Sequence, residues 1–466
     1  MRARSQLSIV LVAAVALTCG GGGGGGSVGP PAETQPTNVL LILADDLGVD
    51  MFGPYGVHPS PPPTPNLDAL AAEGMLFEYF YSLPSCSPTR AAILTGRMPF
   101  RHGIGKPIDQ WTAEHALALE ERTLAEVLKD GSAASVSTSA IGKWHLGSES
   151  VGGASHANLQ GFDWFEGTLG NLMFGSNYFG YQKVTNGVTE ASRTYVTSEQ
   201  VDDALERISV MPEPWFLYLG FNAPHSPLHA PPSNFHSQSI SGVPEDTPND
   251  HHRAMVEALD RELGRLLAGI PESVRANTTI LFLGDNGTPA NVMVAPSIPG
   301  NSKGSVYEGG VRVPFVVAGK HVEVPGSRCP SLVQAVDLFP TVLELMGTDL
   351  AKGVGDNRPI DGISIVPYLS DPARAPLRQY AASERFSPNG FGEYTSYGAM
   401  VRDTRWKLVR RAGQPDALFD MLDSRGNPIA FEDPATGNLN DGDLSAEESA
   451  ALASLQAALS DALDGQ

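Results

Sequence analysis

The chain has 466 residues, with 31 Lys and Arg against 52 Asp and Glu, a formal net charge of −21, and 41% hydrophobic against 18% charged residues. This is too apolar and too thinly charged for a disordered chain, and the acidic balance argues against a nucleic-acid partner, which needs a basic face to neutralise phosphates. Beyond the N-terminus no apolar run reaches the roughly 18 residues of a membrane-spanning helix, which excludes a polytopic helical membrane protein.

In chain order, Arg2 and Arg4 precede an apolar run over residues 7–17, then Cys19 and a run of glycines from Gly20 to Gly26. Residues 1–35 therefore read as an export signal followed by a flexible tether. The segment resembles a bacterial lipoprotein signal with Cys19 as a possible lipid anchor, and ordinary cleavage is the alternative. Either way the protein is expected to be exported: periplasmic, tethered to the outer membrane, or extracellular. Unalternating apolar runs at 38–43, 215–219, 279–283 and 313–317 predict strands buried on both faces, as in a parallel sheet covered by helices. Helical patterns lie between them. Thr64-Pro65 opens one that stops at Gly74, and residues 252–270 place Met255, Leu259, Leu263, Leu266 and Leu267 on one stripe. The expected fold is α/β, a large mostly parallel sheet flanked by helices over 36–375. From about Arg378 short antiparallel strands follow, then a helix opened by the capping box Ser445 to Glu448, giving a small C-terminal α+β subdomain over 376–466.

Ligands in parallel α/β sheets bind beyond the carboxyl ends of the strands. Asp45, Asp46, His225, Asp285 and Asn286 all follow such ends. Three carboxylates and an amide form an oxygen-rich set suited to calcium or magnesium rather than zinc, although Asp-Asp and Gly-Asp-Asn-Gly are also good turn sequences. Cys86 lies just before a predicted helix start and four residues before Arg90, where the positive end of a helix dipole stabilises an anion. Cys19, Cys86 and Cys329 are too few for a disulfide framework, and Cys329 reads as a small buried apolar residue.

Cys86-Ser87-Pro88-Thr89-Arg90, continued by Leu94-Thr95-Gly96-Arg97, resembles the signature of the formylglycine-dependent sulfatases of the alkaline-phosphatase-like superfamily. Further motifs follow in the family's order: Gly142-Lys143-Trp144-His145, Asn222-Ala223-Pro224-His225, and Asn301-Ser302-Lys303-Gly304 with Glu308 and Arg312 after it. The resemblance spans roughly 37–430. It implies that a formylglycine-generating maturation enzyme oxidises Cys86 to an aldehyde. One hydroxyl of the aldehyde hydrate attacks sulfur, and loss of the proton from the other expels sulfate and regenerates the aldehyde. It implies a divalent ion, calcium or alternatively magnesium, held by Asp45, Asp46, Asp285, Asn286 and the modified Cys86. Arg90 is expected to hold the modified side chain, Lys143 to bind it or the sulfate, and His145 to act as base on the second hydroxyl. His225 is expected as sulfate ligand or general acid, and Lys303 as a bridge between sulfate and leaving group. Glu308 and Arg312 are read as an ion pair bracing the loop.

The expected activity is hydrolysis of an aryl or carbohydrate sulfate, on a sulfated small molecule or saccharide. Two alternatives stay open: a phosphodiester or phosphonate monoester hydrolase of the same superfamily, and a silent binder of sulfated glycans. Specificity is assigned to loops at 103–114, 148–177, 231–250 and 387–396.

Overall fold

The computed structural model describes residues 37–111, 115–173, 175–294, 298, 300–355 and 358–463. The segment 1–35 expected to direct export, with its Cys19, lies outside these residues. Ten strands form the main sheet: β1 (Asn38–Ala44), β2 (Met75–Tyr81), β3 (Ser137–Lys143), β4 (Trp164–Thr168), β5 (Tyr181–Thr185), β6 (Val188–Ser192), β7 (Trp215–Gly220), β8 (Thr278–Gly284), β9 (Phe315–Gly319) and β10 (Ser327–Gln334). Their order is β10-β2-β9-β8-β1-β7-β3-β4-β5-β6. The central run β8-β1-β7-β3-β4 is parallel throughout.

Both faces of that run are covered, which accounts for its unalternating sequence. Leu40, Ile42, Leu217 and Phe282 pack with Leu67, Val201, Met255 and Leu259 from helices on one side. Leu41, Leu43, Phe216 and Leu283 pack with Ile93, Leu94, Leu128 and Phe339 on the other. No helix among the described residues is long and apolar enough to cross a membrane.

The structure departs from the sequence expectation in two places. The strand expected at 313–317 runs Phe315–Gly319 and lies antiparallel to both β8 and β2, so the sheet is mixed there, as it is at β5 and β6. An apolar run reports burial, not direction. The helix expected from 252 spans Pro248–Gly269, because Thr247-Pro248 starts it as Thr64-Pro65 starts Pro65–Glu73.

A second, four-stranded antiparallel sheet is formed by β11 (Ala381–Ser387), β12 (Ser396–Arg402), β13 (Trp406–Arg411) and β14 (Ala417–Asp420). The helix Ala446–Leu463 buries Leu455, Leu459 and Leu463, and its capping box is formed: the Ser445 amide donates to Glu448 Oε2 at 2.7 Å and the Glu448 amide to Ser445 Oγ at 3.3 Å. Cys329 is fully buried in β10.

Candidate active site

The central parallel strands end together, with Ala44 opposite Gly284 and Gly220 opposite both Leu43 and Gly142. The polar residues that follow each strand therefore meet along one edge. Asp45 and Asp46 leave β1, Asp285 and Asn286 leave β8, His145 follows β3, and His225 follows β7. Asp46 and His145 both sit in the left-handed region, at φ 71° and 61°. Such backbone in non-glycine residues is strained and is held only where the surroundings dictate it.

Cys86 is the first residue of the helix Cys86–Thr95 and is buried. Its Sγ lies 3.1 Å from His145 Nδ1, and His145 Nε2 lies 2.9 Å from the Ile108 carbonyl oxygen. A carbonyl can only accept, so the proton sits on Nε2 and the Nδ1 lone pair faces Cys86. Burial, reinforced by Lys143 and Arg90, holds the His145 imidazole well below its usual range, so it is neutral. Burial also pushes the Cys86 thiol up, and Lys143 does not offset it. An unmodified thiol therefore stays protonated here and is a poor nucleophile.

Arg90 is fully buried and binds Asp285 Oδ2 through Nε at 3.0 Å and Nη2 at 2.8 Å, with Asp45 Oδ2 at 3.8 Å. Its Nη1 donates to the Lys143 carbonyl at 2.6 Å and to Tyr218 Oη at 3.2 Å. Lys143 Nζ pairs with Asp45 Oδ2 and donates to Asn171 Oδ1 at 2.5 Å; Lys303 Nζ pairs with Asp46 Oδ1. Burial alone raises Asp45, but Lys143, His225 and Arg90 outweigh it and keep the carboxylate ionised. Burial and the adjacent Asp45 push Asp285 up against the pull of Arg90. His225 donates from Nδ1 to the Ser226 carbonyl at 2.7 Å, and its Nε2 lies 3.9 Å from Asp46 Oδ2.

A family model described as Sulfatase matches residues 37–348. The chain belongs to the sulfatase family. Members of this family are sulfuric ester hydrolases. The chain is 32% identical to the N-acetylgalactosamine-6-sulfatase of Canis lupus familiaris, over 73% of this chain and 67% of that one. It is 29% identical to the arylsulfatase J of Mus musculus, over 81% of this chain and 65% of that one. A solved structure titled as Ps i-CgsB in complex with k-i-k-neocarrahexaose superposes with a TM-score of 0.68 at 27% identity, covering 83% of this chain and 86% of that one. The match thus spans about two thirds of the length of these curated relatives.

The sulfatase site contains more than its motifs announce. Asn171 receives a bond from Lys143 and follows β4, a strand the apolar-run criterion passes over because Glu166, Gly167 and Thr168 interrupt it. Gly220 is required by close approach: a Cβ there would sit 2.6 Å from the Lys143 carbonyl oxygen and 2.7 Å from Arg90 Nη1. His156 accepts from Trp144 Nε1 at 2.9 Å and donates from Nε2 to the Leu117 carbonyl at 2.9 Å, so it fixes the tryptophan between Lys143 and His145. His252 donates from Nε2 to the Asp46 carbonyl at 3.3 Å. None of these partners has a sequence signal, because each is distant along the chain or uses backbone atoms.

Arg90 reaches the carboxylates Asp285 and Asp45 and the Lys143 carbonyl, and so braces the acidic cluster. One expectation changes: Glu308 and Arg312 do not pair. Glu308 binds Lys407 Nζ at 3.0 Å and Arg402 Nη1 at 3.2 Å, while Arg312 donates to the Glu78 carbonyl and stacks on Tyr79. The loop is braced by cations of the second sheet, which an eye on nearby sequence cannot find.

The acidic cluster suits a cation. Asp45 Oδ1 and Asn286 Oδ1 are buried with no hydrogen-bond partner among the described residues. Ligand atoms of Asp45, Asp46 and His225 lie within 4.8 Å of one another. Orphaned, buried, hard oxygen acceptors are what calcium or magnesium takes.

Proposed function

We propose that the chain hydrolyses a carbohydrate sulfate, releasing inorganic sulfate, with Cys86 matured to formylglycine. The observation that carries this reading is the 3.1 Å approach of a neutral His145 Nδ1 to Cys86 Sγ, at the edge where Asp45, Asp46, Asp285, Asn286 and three cations meet. Hydrated formylglycine at position 86 supplies a hydroxyl nucleophile and a second hydroxyl for its own release. Asp45, Asp46, Asp285 and Asn286 would hold a calcium ion, which when bound would supply positive charge to polarise a sulfate oxygen.

This chain's own groups do the rest. Arg90, Lys143 and Lys303 stand against Asp45, Asp46 and Asp285, so a bound divalent cation would leave the site attractive to an anion. His145, with its proton fixed on Nε2, accepts a proton at Nδ1 from the group on residue 86. Lys303 and Lys143 exchange their carboxylate partners for sulfate oxygens, and Lys303 steadies the leaving oxygen. His225, held through Nδ1, presents Nε2 to the same space, and once the ring has taken up a second proton there it passes that proton to the departing alcohol. A sugar substrate is supported by the saccharide named for the 27% identical structure and by the N-acetylgalactosamine-6-sulfatase relative.

The test is sulfate release from 4-nitrophenyl sulfate by protein co-expressed with a formylglycine-generating enzyme, with Cys86→Ala and Cys86→Ser beside it. Turnover by the wild type and none by either variant is expected. Equal turnover by all three, or a higher kcat/KM on the phosphate, phosphodiester or phosphonate analogue, contradicts it.

A further inference from the structure

A groove leaves the catalytic edge on the His145 side. Its inner part is a cavity of about 210 Å³ lined by Ile108, Gln110, His145 and Asn171. It continues through a narrower space of about 140 Å³ into an outer cleft of about 700 Å³ ending at Arg193, beyond β6. Trp111 and Met173 line all three spaces, so the spaces adjoin one another between His145 and Arg193. The outer cleft is of the size that holds small ligands, roughly 300–1,000 Å³.

Its lining is chemically selective. Trp111 is 53% exposed and Met173 48%, an unusual outlay of large apolar side chains on a surface leading to a catalytic edge. The Trp111 amide donates to Asp109 Oδ1 at 3.0 Å, a local turn that sets where the indole is presented. Ser176, Asn177 and Gln182 add hydroxyl and amide groups along the wall. Asp109 is the single acidic residue lining any of the three spaces among the described residues, in a chain of net charge −21, and it lies at the inner end. Arg193, at the outer end, has no ion pair among the described residues. A flat indole, flanking amides and a terminal cation complement a ring with an apolar face, hydroxyls and an anionic substituent.

We infer that this groove takes the neighbouring sugar unit of a sulfated oligosaccharide, with its ring on Trp111 and a second anionic group at Arg193. The inference rests on the sulfate-ester reading above and narrows it from a sugar sulfate to an oligomer. Arg193 lies at the end of the groove away from His145, so a small sulfate that never reaches it is indifferent to its loss, whereas Trp111 also borders the inner cavity.

The experiment compares kcat/KM for 4-nitrophenyl sulfate, sulfated monosaccharides, and tetrasaccharides of chondroitin 6-sulfate and carrageenan, using matured wild type, Trp111→Ala and Arg193→Gln. For the tetrasaccharide that is cleaved, the wild type is expected to prefer it at least tenfold over its monosaccharide. Each variant is expected to lose most of that preference, and Arg193→Gln to stay within twofold of wild type on 4-nitrophenyl sulfate. A wild type that cleaves no tetrasaccharide or favours the monosaccharide overturns the inference, as do variants that keep the preference or lose activity equally on all substrates. Failure of the wild type on 4-nitrophenyl sulfate itself overturns the underlying hydrolase reading, and so separates the two failures.

Discussion

At the scale of single residues, the site depends on buried charges holding one another. Arg90 is enclosed and satisfied chiefly by Asp285. Asp285→Asn leaves a buried guanidinium with only Asp45 at 3.8 Å as a charged partner, and a loss of about 3 kcal/mol in urea unfolding is expected. A change under 1 kcal/mol would mean that Asp45 alone satisfies Arg90. His145→Gln keeps a polar group beside residue 86 but removes the base, and a fall in kcat of roughly 10²–10⁴ with little change in folding is expected from stopped-assay kinetics. Removing divalent ions with a chelator should abolish turnover of 4-nitrophenyl sulfate and calcium should restore it; full activity in chelator would refute the cation site. The motif residues Cys86, Lys143, His145 and Lys303 are legible because their spacing is local. Asn171 and Gly220 are not, since the one follows an interrupted strand and the other matters only for what it lacks.

At the scale of elements, the loop carrying Lys303 is anchored by the second sheet. Asn301 Nδ2 donates to the Glu432 carbonyl at 2.7 Å and to its Oε2 at 3.1 Å, and the Glu308 amide donates to Glu432 Oε1 at 3.1 Å. Lys407 of β13, fully buried, binds Glu308 at 3.0 Å and Glu432 at 2.6 Å. Lys407→Met leaves two buried carboxylates sharing Arg402, so about 3 kcal/mol of stability and roughly tenfold in kcat should be lost, although Lys407 itself lies among loop-bracing groups. Adding Glu308→Gln should cost less than the sum of the single changes, because the same network is already broken; additive losses would show that the residues act independently. Apolar runs make the parallel strands β1, β7 and β8 legible, since two-sided burial writes itself into every position. The antiparallel setting of β9 is not legible, because direction is decided by the long connection 285–314 rather than by the strand's own residues.

At the scale of the whole molecule, the two sheets meet through groups whose charge is costly to bury. Glu384 of β11 accepts from the Phe100 amide at 2.8 Å, and burial, resisted by that bond, pushes its carboxyl up to about 8. The folded state thus keeps a proton that the unfolded chain releases near pH 4.5, so this group withdraws stability as pH rises from about 4.5 to about 8. Glu384→Gln keeps the acceptor and removes the titration. Its stability relative to wild type should grow by an order of 3 kcal/mol between pH 5 and pH 8 in paired urea unfolding curves. A constant difference would show that Glu384 is ionised in the fold. The composition and the change of texture near Arg378 make an α/β sheet followed by antiparallel strands legible. The packing of the second sheet against the Lys303 loop is not, because Glu308 and Lys407 are separated by nearly a hundred residues and Lys407 carries no motif.

The central claim is that Cys86 is the precursor of the nucleophile. Peptide mass spectrometry across residues 83–90, on protein co-expressed with a formylglycine-generating enzyme, tests it most directly. The account predicts a peptide that has lost one sulfur and two hydrogens and gained one oxygen at Cys86. An intact thiol there, while a control sulfatase in the same cells is converted, would contradict it.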